Sequence, residues 1–331
     1  SEHAGVQAFI EQGIGQLHGF WYFEAERSFR QAAMLDPDCA ISYWGMAMAN
    51  AENKERAKGF LAKALERRDS ASEREQLYID ALENYLDDKK DEKGKERDRK
   101  TKAKQQIEAF EKIVKKYPDD LEAKAWLAYT LYKQRGAAGK KHEEVETAIN
   151  NVLDVEPLHP VHHYLIHLWD YKDAKKALGS AAKGGASAPA IAHMWHMPGH
   201  IYSRLKRYQD AAWQQEASAR TDHAHMMRDR VMPDEIHNFA HNNEWLIRNL
   251  IYVGRWRDAI DLAKNMTELP RHPKYNMLSK RRSSYFGRIR LFDVLKRYEH
   301  WPQLIALTDS AYLPSTDLEA EQIRRLQYRG I

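Results

Sequence analysis

The chain is 331 residues long, enough for one large domain or two ordinary ones with a buried core. Charged residues make up 30% of it yet nearly cancel, to a net charge of +4, which argues against a dedicated nucleic-acid binder, since such proteins concentrate one sign. No apolar run approaches the roughly 18 residues of a membrane span, and the single cysteine, Cys39, excludes an intrachain disulfide and any CxxC zinc framework.

The first residue is Ser rather than Met, as expected where a leader has been removed or a tag added. From there strand signals are nearly absent, and helical periodicity runs almost end to end with punctuation at about 34 to 40 residues. "FEAERSFRQAAMLDP" places Ala25, Phe29, Ala32 and Pro37 at spacings of four, three and five, with Gly13 twelve residues before Ala25. Ala57, Leu61 and Ala64 repeat the spacing. Residues 87–102, "DDKKDEKGKERDRKTK", mix signs without an apolar face and predict a solvated insertion or extended helix end. This insertion divides N-terminal helix pairs over 1–86 from C-terminal helix pairs over 103–331.

Beyond it the spacing returns with Ala148, Val152, Val155 and Pro160, then with Ala174, Leu178 and Ala181. "GSAAKGGASAPA", 179–190, predicts a connection. Trp195, Gly199, Tyr202 and Ala211 open the next unit, and Ala259 follows a Gly-Arg-aromatic turn in "GRWRDAIDLAKNM". "LEAEQIRRLQYRGI", 318–331, supplies a terminal cap or a dimer contact, and the oligomeric state is left open.

These spacings resemble the tetratricopeptide repeat (TPR), whose pattern is W-x2-L-G-x2-Y…A. The resemblance implies an all-α, right-handed TPR-type helical-hairpin solenoid of roughly seven or eight helix pairs. It also implies a concave groove lined by first helices, with repeat positions 2, 5, 9 and 12–13 facing it.

Eleven of the sixteen histidines fall between residues 159 and 241, where even scattering would put about four. With the key alanine as position 20, His193, His196 and His200 take positions 2, 5 and 9 of the Ala211 repeat. His159, His163 and His167 take positions 5, 9 and 13 of the Ala174 repeat, and His241 and Glu244 positions 2 and 5 of the Ala259 repeat. His163/His167, His196/His200 and His237/His241 are i, i+4 pairs, which stand one above the other on a helix face and suit ions bound at about 2.0–2.1 Å. Pro198 falls inside the second pair, so it lies in a first helical turn or kinks the helix. "TDHAHMMRDRVM", 221–232, adds His223, His225, Met226, Met227 and Met232, soft donors that favour copper.

"HYLIH" (163–167), "HMPGHIYSRL" (196–205) and "AHNNEWL" (240–246) further resemble a branch of bacterial TPR proteins carrying H-Y-L-I-H, H-M-P-x-H-I and H-N-x-H-F in the same order. That resemblance implies export, to the periplasm or outside the cell, and a shared histidine site. Here Glu244 stands where the branch carries histidine.

Two readings of function follow. In the first, the groove holds one or two transition-metal ions through His163, His167, His196, His200 and His241, with His159, His193, His237 and Glu244 as further candidates. Copper is favoured, and zinc or iron are alternatives. Six or more imidazoles would suit a coupled dicopper centre, so a copper-dependent oxidase or oxygenase acting on a small-molecule substrate is its enzymatic form. In the second, the chain is a non-enzymatic TPR scaffold whose groove binds a peptide or protein partner, with Arg248, Arg204 and Lys206 placed to contact a carboxylate. Zinc hydrolysis with Glu244 as general base ranks below both, because HExxH is absent.

Overall fold

The structure, a computed structural model, describes residues 3–87, 97–236, 238–270 and 281–330. Among them every regular element is helical, with seventeen α-helices and no strand, as the periodicity predicts. The chain forms two compact units, Ser1–Ala188 and Pro189–Ile331.

Unit 1 holds α1 (Ala4–His18), α2 (Tyr22–Leu35), α3 (Ala40–Ala49), α4 (Lys54–Glu66), α5 (Glu73–Leu86), α6 (Arg99–Lys116), α7 (Leu121–Ala138), α8 (His142–Leu153), α9 (His162–Trp169) and α10 (Leu178–Ser187). Each odd-numbered helix packs on its successor and the hairpins stack in chain order. Starts are set by side chains that satisfy orphan N–H groups: Asn53 accepts from Arg56, Asp98 from Thr101 and Asp120 from Ala123, while Ser72 and Glu75 form a capping box. Asp98 thereby makes the end of the charged stretch the start of α6; residues 88–96 of that stretch lie outside the described residues.

Unit 2 holds α11 (Ala192–Arg204), α12 (Tyr208–Asp229), α13 (Phe239–Tyr252), α14 (Trp256–Glu268), α15 (Ser283–Arg297), α16 (Trp301–Thr308) and α17 (Glu319–Arg329). Its core runs through Ile247, Leu250, Ala259, Ala263, Met266, Leu291, Val294, Leu295 and Leu304. The α17 helix packs on α16 and its Glu321 pairs with buried Arg288.

Four hairpins share one turn. Three residues join the helices, the middle one left-handed: Phe20 (φ 56°), Lys206 (φ 60°), Gly254 (φ 82°) and Glu299 (φ 55°). In each, the N–H of the third residue bonds a carbonyl five residues back: Trp21 to Gln16, Arg207 to Tyr202, Arg255 to Leu250 and His300 to Leu295, at 2.9–3.0 Å. This bond closes the last helical turn and reverses the chain. The small residues of the repeat do what their spacing requires. Ala25, Ala57, Ala211 and Ala259 are fully buried. Gly13 and Gly45 clasp the Phe29 ring, which a Cβ would meet at 2.7 and 2.3 Å.

Two registers differ from expectation. Ala148 and Ala174 are only half-buried; Val145, Ile149 and Val152 form the inner face of α8, and Ala177 and Ala181 replace Ala174 beside α9. The Gly/Ala/Ser stretch is not a connection but helix α10 through Ser187. Its face of Ser180, Ala181, Gly184 and Gly185 is small enough for close approach, and packing overrides the low propensity of glycine.

Candidate metal centre and binding cleft

Within unit 2, α11 and α13 bring His196, His200 and His241 together, one ligand nitrogen from each lying within 4.8 Å of the others. His196 and His200 are buried, and His241 is 42% exposed at its side chain. The α11 helix starts at Ala192, so Pro198 sits mid-helix between the pair rather than in a first turn. The Nε2 atoms of His196 and His200 are 2.8 Å apart, and the His241 ring centre is 4.9 Å from that of His196.

The proton on His196 can be placed. The Gln215 amide nitrogen donates to the His196 carbonyl at 3.1 Å, so its oxygen is the atom 2.7 Å from His196 Nδ1. An amide oxygen only accepts; Nδ1 therefore carries hydrogen, and a neutral ring turns its Nε2 lone pair towards His200 and His241. Gly199 makes room, since a Cβ there would lie 2.3 Å from Gln215 Nε2. Gln215 stands fourteen residues after Ile201 at the place where the first hairpin has Phe29, each four residues beyond its key alanine. The socket that elsewhere holds an apolar ring here holds the amide that orients a histidine. Trp245 stacks on His200 at 3.9 Å and 22°, fixing that ring too.

The other candidates of this unit stand aside from that point. His193 is half-buried, its ring 5.7 Å from that of His196, and its Nδ1 accepts from the Asn238 amide at 3.0 Å. Glu244 reaches His241 only at 3.9 Å and is held by Arg290, whose Nε donates to Oε2 at 2.8 Å. His237 lies outside the described residues. In "TDHAHMMRDRVM" α12 continues to Asp229, leaving His223 and Met227 exposed.

Unit 1 repeats the two-histidine arrangement on α9. His163 donates from Nδ1 to the His18 carbonyl at 2.7 Å, and its Nε2 lies 2.9 Å from His167 Nε2. Burial pushes the His163 imidazolium well below the usual histidine range, so the ring is neutral with its lone pair at Nε2. Phe20, from the left-handed turn, covers both rings at 4.3 and 5.5 Å.

His159 does not share that helix. It precedes Pro160, where a helical conformation is disfavoured, and α9 begins only at His162. It joins instead His18 and Glu122, which the sequence did not single out. Glu122 Oε2 lies 3.0 Å from His18 Nε2, and Oε1 lies 3.3 Å from His159 Nε2. The Val161 N–H donates to His159 Nδ1 at 3.2 Å, so a neutral His159 carries its hydrogen on Nε2 and donates it to Glu122. His18 likewise donates from Nε2, and its Nδ1 accepts from the buried Tyr164 hydroxyl. The types are those of a zinc site, yet the hydrogens occupy the would-be ligand positions. The group is a carboxylate held by two imidazoles.

This carboxylate forms part of the wall of a cleft of about 480 Å³. The cleft is lined from the first helices of four successive hairpins, α1, α3, α5 and α7, and from the turn before α9.

No family model and no curated protein matches the chain. Solved structures similar to it include the RpL4 assembly chaperone Acl4 (12% identity, 89% of this chain and 98% of that one, TM-score 0.33). Others are the TPR domain of P58(IPK) (13%, 99% and 98%, TM-score 0.25) and yeast Tom70 (11%, 98% and 95%, TM-score 0.33). The TPR-type fold rests on the helix pairs and turns of the chain itself.

Proposed function

We propose that this chain is a non-enzymatic binding scaffold of TPR-type hairpins, and that a short peptide segment of a partner lies in the cleft of unit 1. The observation that supports this is the cleft itself: its volume falls within the roughly 300–1,000 Å³ of ligand sites, and successive hairpins supply its walls. Ile10, Ile14, Ile41 and Pro160 give it apolar surface, and the charged groups stand among them. Gly15 offers a clean test. It lines the cleft, and a Cβ there meets nothing within 4 Å. Peptides selected from a random display library on the intact chain should lose binding to Gly15→Trp, whose thermal unfolding should match the parent. Peptides that bind both proteins equally, or a library that yields none, would defeat the reading.

The convergence of three imidazoles favours a second reading, a transition-metal centre at His196, His200 and His241 in unit 2. The donors are all nitrogen, and Met227 stands in solvent, so nothing among them selects copper over zinc. Three imidazoles make half the ligand set of a coupled copper pair, and no oxidation step is proposed.

A further inference from the structure

We propose that the unit 1 cleft selects a basic side chain, lysine or arginine, of the peptide it holds, through an ion pair with Glu122. The inference rests on the reading of the cleft as a peptide site and adds the charge of the occupant.

Of the three grouped residues, Glu122 is the one that meets solvent. Its side chain is 32% exposed, against 1% for His18 and 7% for His159. Each carboxylate oxygen receives one imidazole N–H from behind, which fixes the group's direction and leaves lone pairs over. Burial works to raise its carboxyl, but the attraction of His18 and the hydrogen bonds from both imidazoles overcome this and hold it below the usual carboxylate range.

The rest of the lining agrees in sign. Glu11 and Glu75 are acidic, and among the described residues the one lining arginine or lysine, Arg74, is paired with Asp120 at 2.8 Å. An entering anion would meet three carboxylates, whereas an ammonium or guanidinium would find an oriented acceptor. The aliphatic stem of lysine or arginine suits the isoleucines and Pro160, because such side chains bury their methylenes while the charged head keeps a polar partner. A half-dry wall strengthens that pair relative to one in open water.

Calorimetric titration of the full chain with acetylated, amidated Leu-X-Leu peptides, where X is lysine, norleucine or glutamate, tests the proposal. Norleucine keeps the stem and removes the charge. The lysine peptide should bind about tenfold tighter than the norleucine peptide, as expected for a hydrogen bond to a charged group, and the glutamate peptide weakest. Glu122→Gln should level lysine and norleucine, and the peptide series on the unaltered chain decides the matter should that variant not fold. Equal affinities for lysine and norleucine, or a preference that survives Glu122→Gln, would overturn the proposal while leaving the cleft a peptide site, provided Gly15→Trp abolishes binding. Binding of no peptide, or binding that persists in Gly15→Trp, would remove the cleft reading and this inference together.

Discussion

A histidine acts through the nitrogen that lacks hydrogen, and in this chain single neighbouring atoms decide which one that is. The Gln215 oxygen puts the hydrogen of His196 on Nδ1 and frees Nε2; the Val161 N–H takes up Nδ1 of His159 and so occupies Nε2. Gln215→Leu leaves a buried donor unpaired and lets the ring turn, so it should lower stability by about 1–3 kcal/mol and weaken zinc affinity roughly 10–100-fold. Competitive zinc titration of the untagged protein checks this: His200→Ala should lose one equivalent, and Gln215→Leu should keep it at reduced affinity. An unchanged stoichiometry in His200→Ala would rule out the three-imidazole centre. The placement of His196, His200 and His241 is legible in the sequence because the spacings of Gly199, Tyr202, Ala211 and Ala259 fix the helical register. His159 is misread because the same spacing around Ala174 takes no account of Pro160, which delays the helix.

The unit of construction is the hairpin, and its turn shows where sequence spacing runs out. Ala25, Ala57, Ala211 and Ala259 announce their crossings because only a small residue fits there. Around α8, bulkier Val145 and Ile149 fill the place, and the alanine signal shifts off the true face. Left-handed Phe20, Lys206 and Glu299 give no signal, since glycine alone advertises that conformation. Each carries about 1–2 kcal/mol of strain. Lys206 and Glu299 are exposed, so Lys206→Gly and Glu299→Gly should each stabilise by about 0.5–1 kcal/mol after the entropy glycine adds to the unfolded chain. Phe20→Gly should not, because the ring it deletes covers His163 and His167. Urea unfolding of the three variants separates these outcomes, and a stabilised Phe20→Gly would show that the ring contributes nothing.

Across the whole molecule, the least legible feature is one that joins residues far apart in the chain. His18 and Glu122 are 104 positions apart, and no local spacing links the end of α1 to the start of α7. Their pairing makes stability depend on acidity in a definite direction. Burial lowers the His18 pKa, so the unfolded chain takes up that proton first and stability falls as pH drops below about 6.5. Glu122 is lowered as well, so its contribution, full above the unfolded value of about 4.3, is lost on further acidification. Thermal unfolding should therefore move to lower temperature in two stages between pH 7 and 3, with Glu122→Gln removing most of the second. A melting temperature constant from pH 7 to 3 would contradict both assignments.

The single bond from Val161 to His159 fixes which nitrogen of that ring carries hydrogen. In the proposed metal reading an ion would meet a free Nε2 lone pair on His196, whereas His159, its Nδ1 already taken by the Val161 N–H, turns an N–H to Glu122. The basic side chain proposed for the unit 1 cleft would meet the opposite preference. On the two proposals together, a metal ion and a basic peptide would be told apart by which ring nitrogen keeps its hydrogen, a choice made for His159 by a backbone amide and for His196 by the Gln215 side chain.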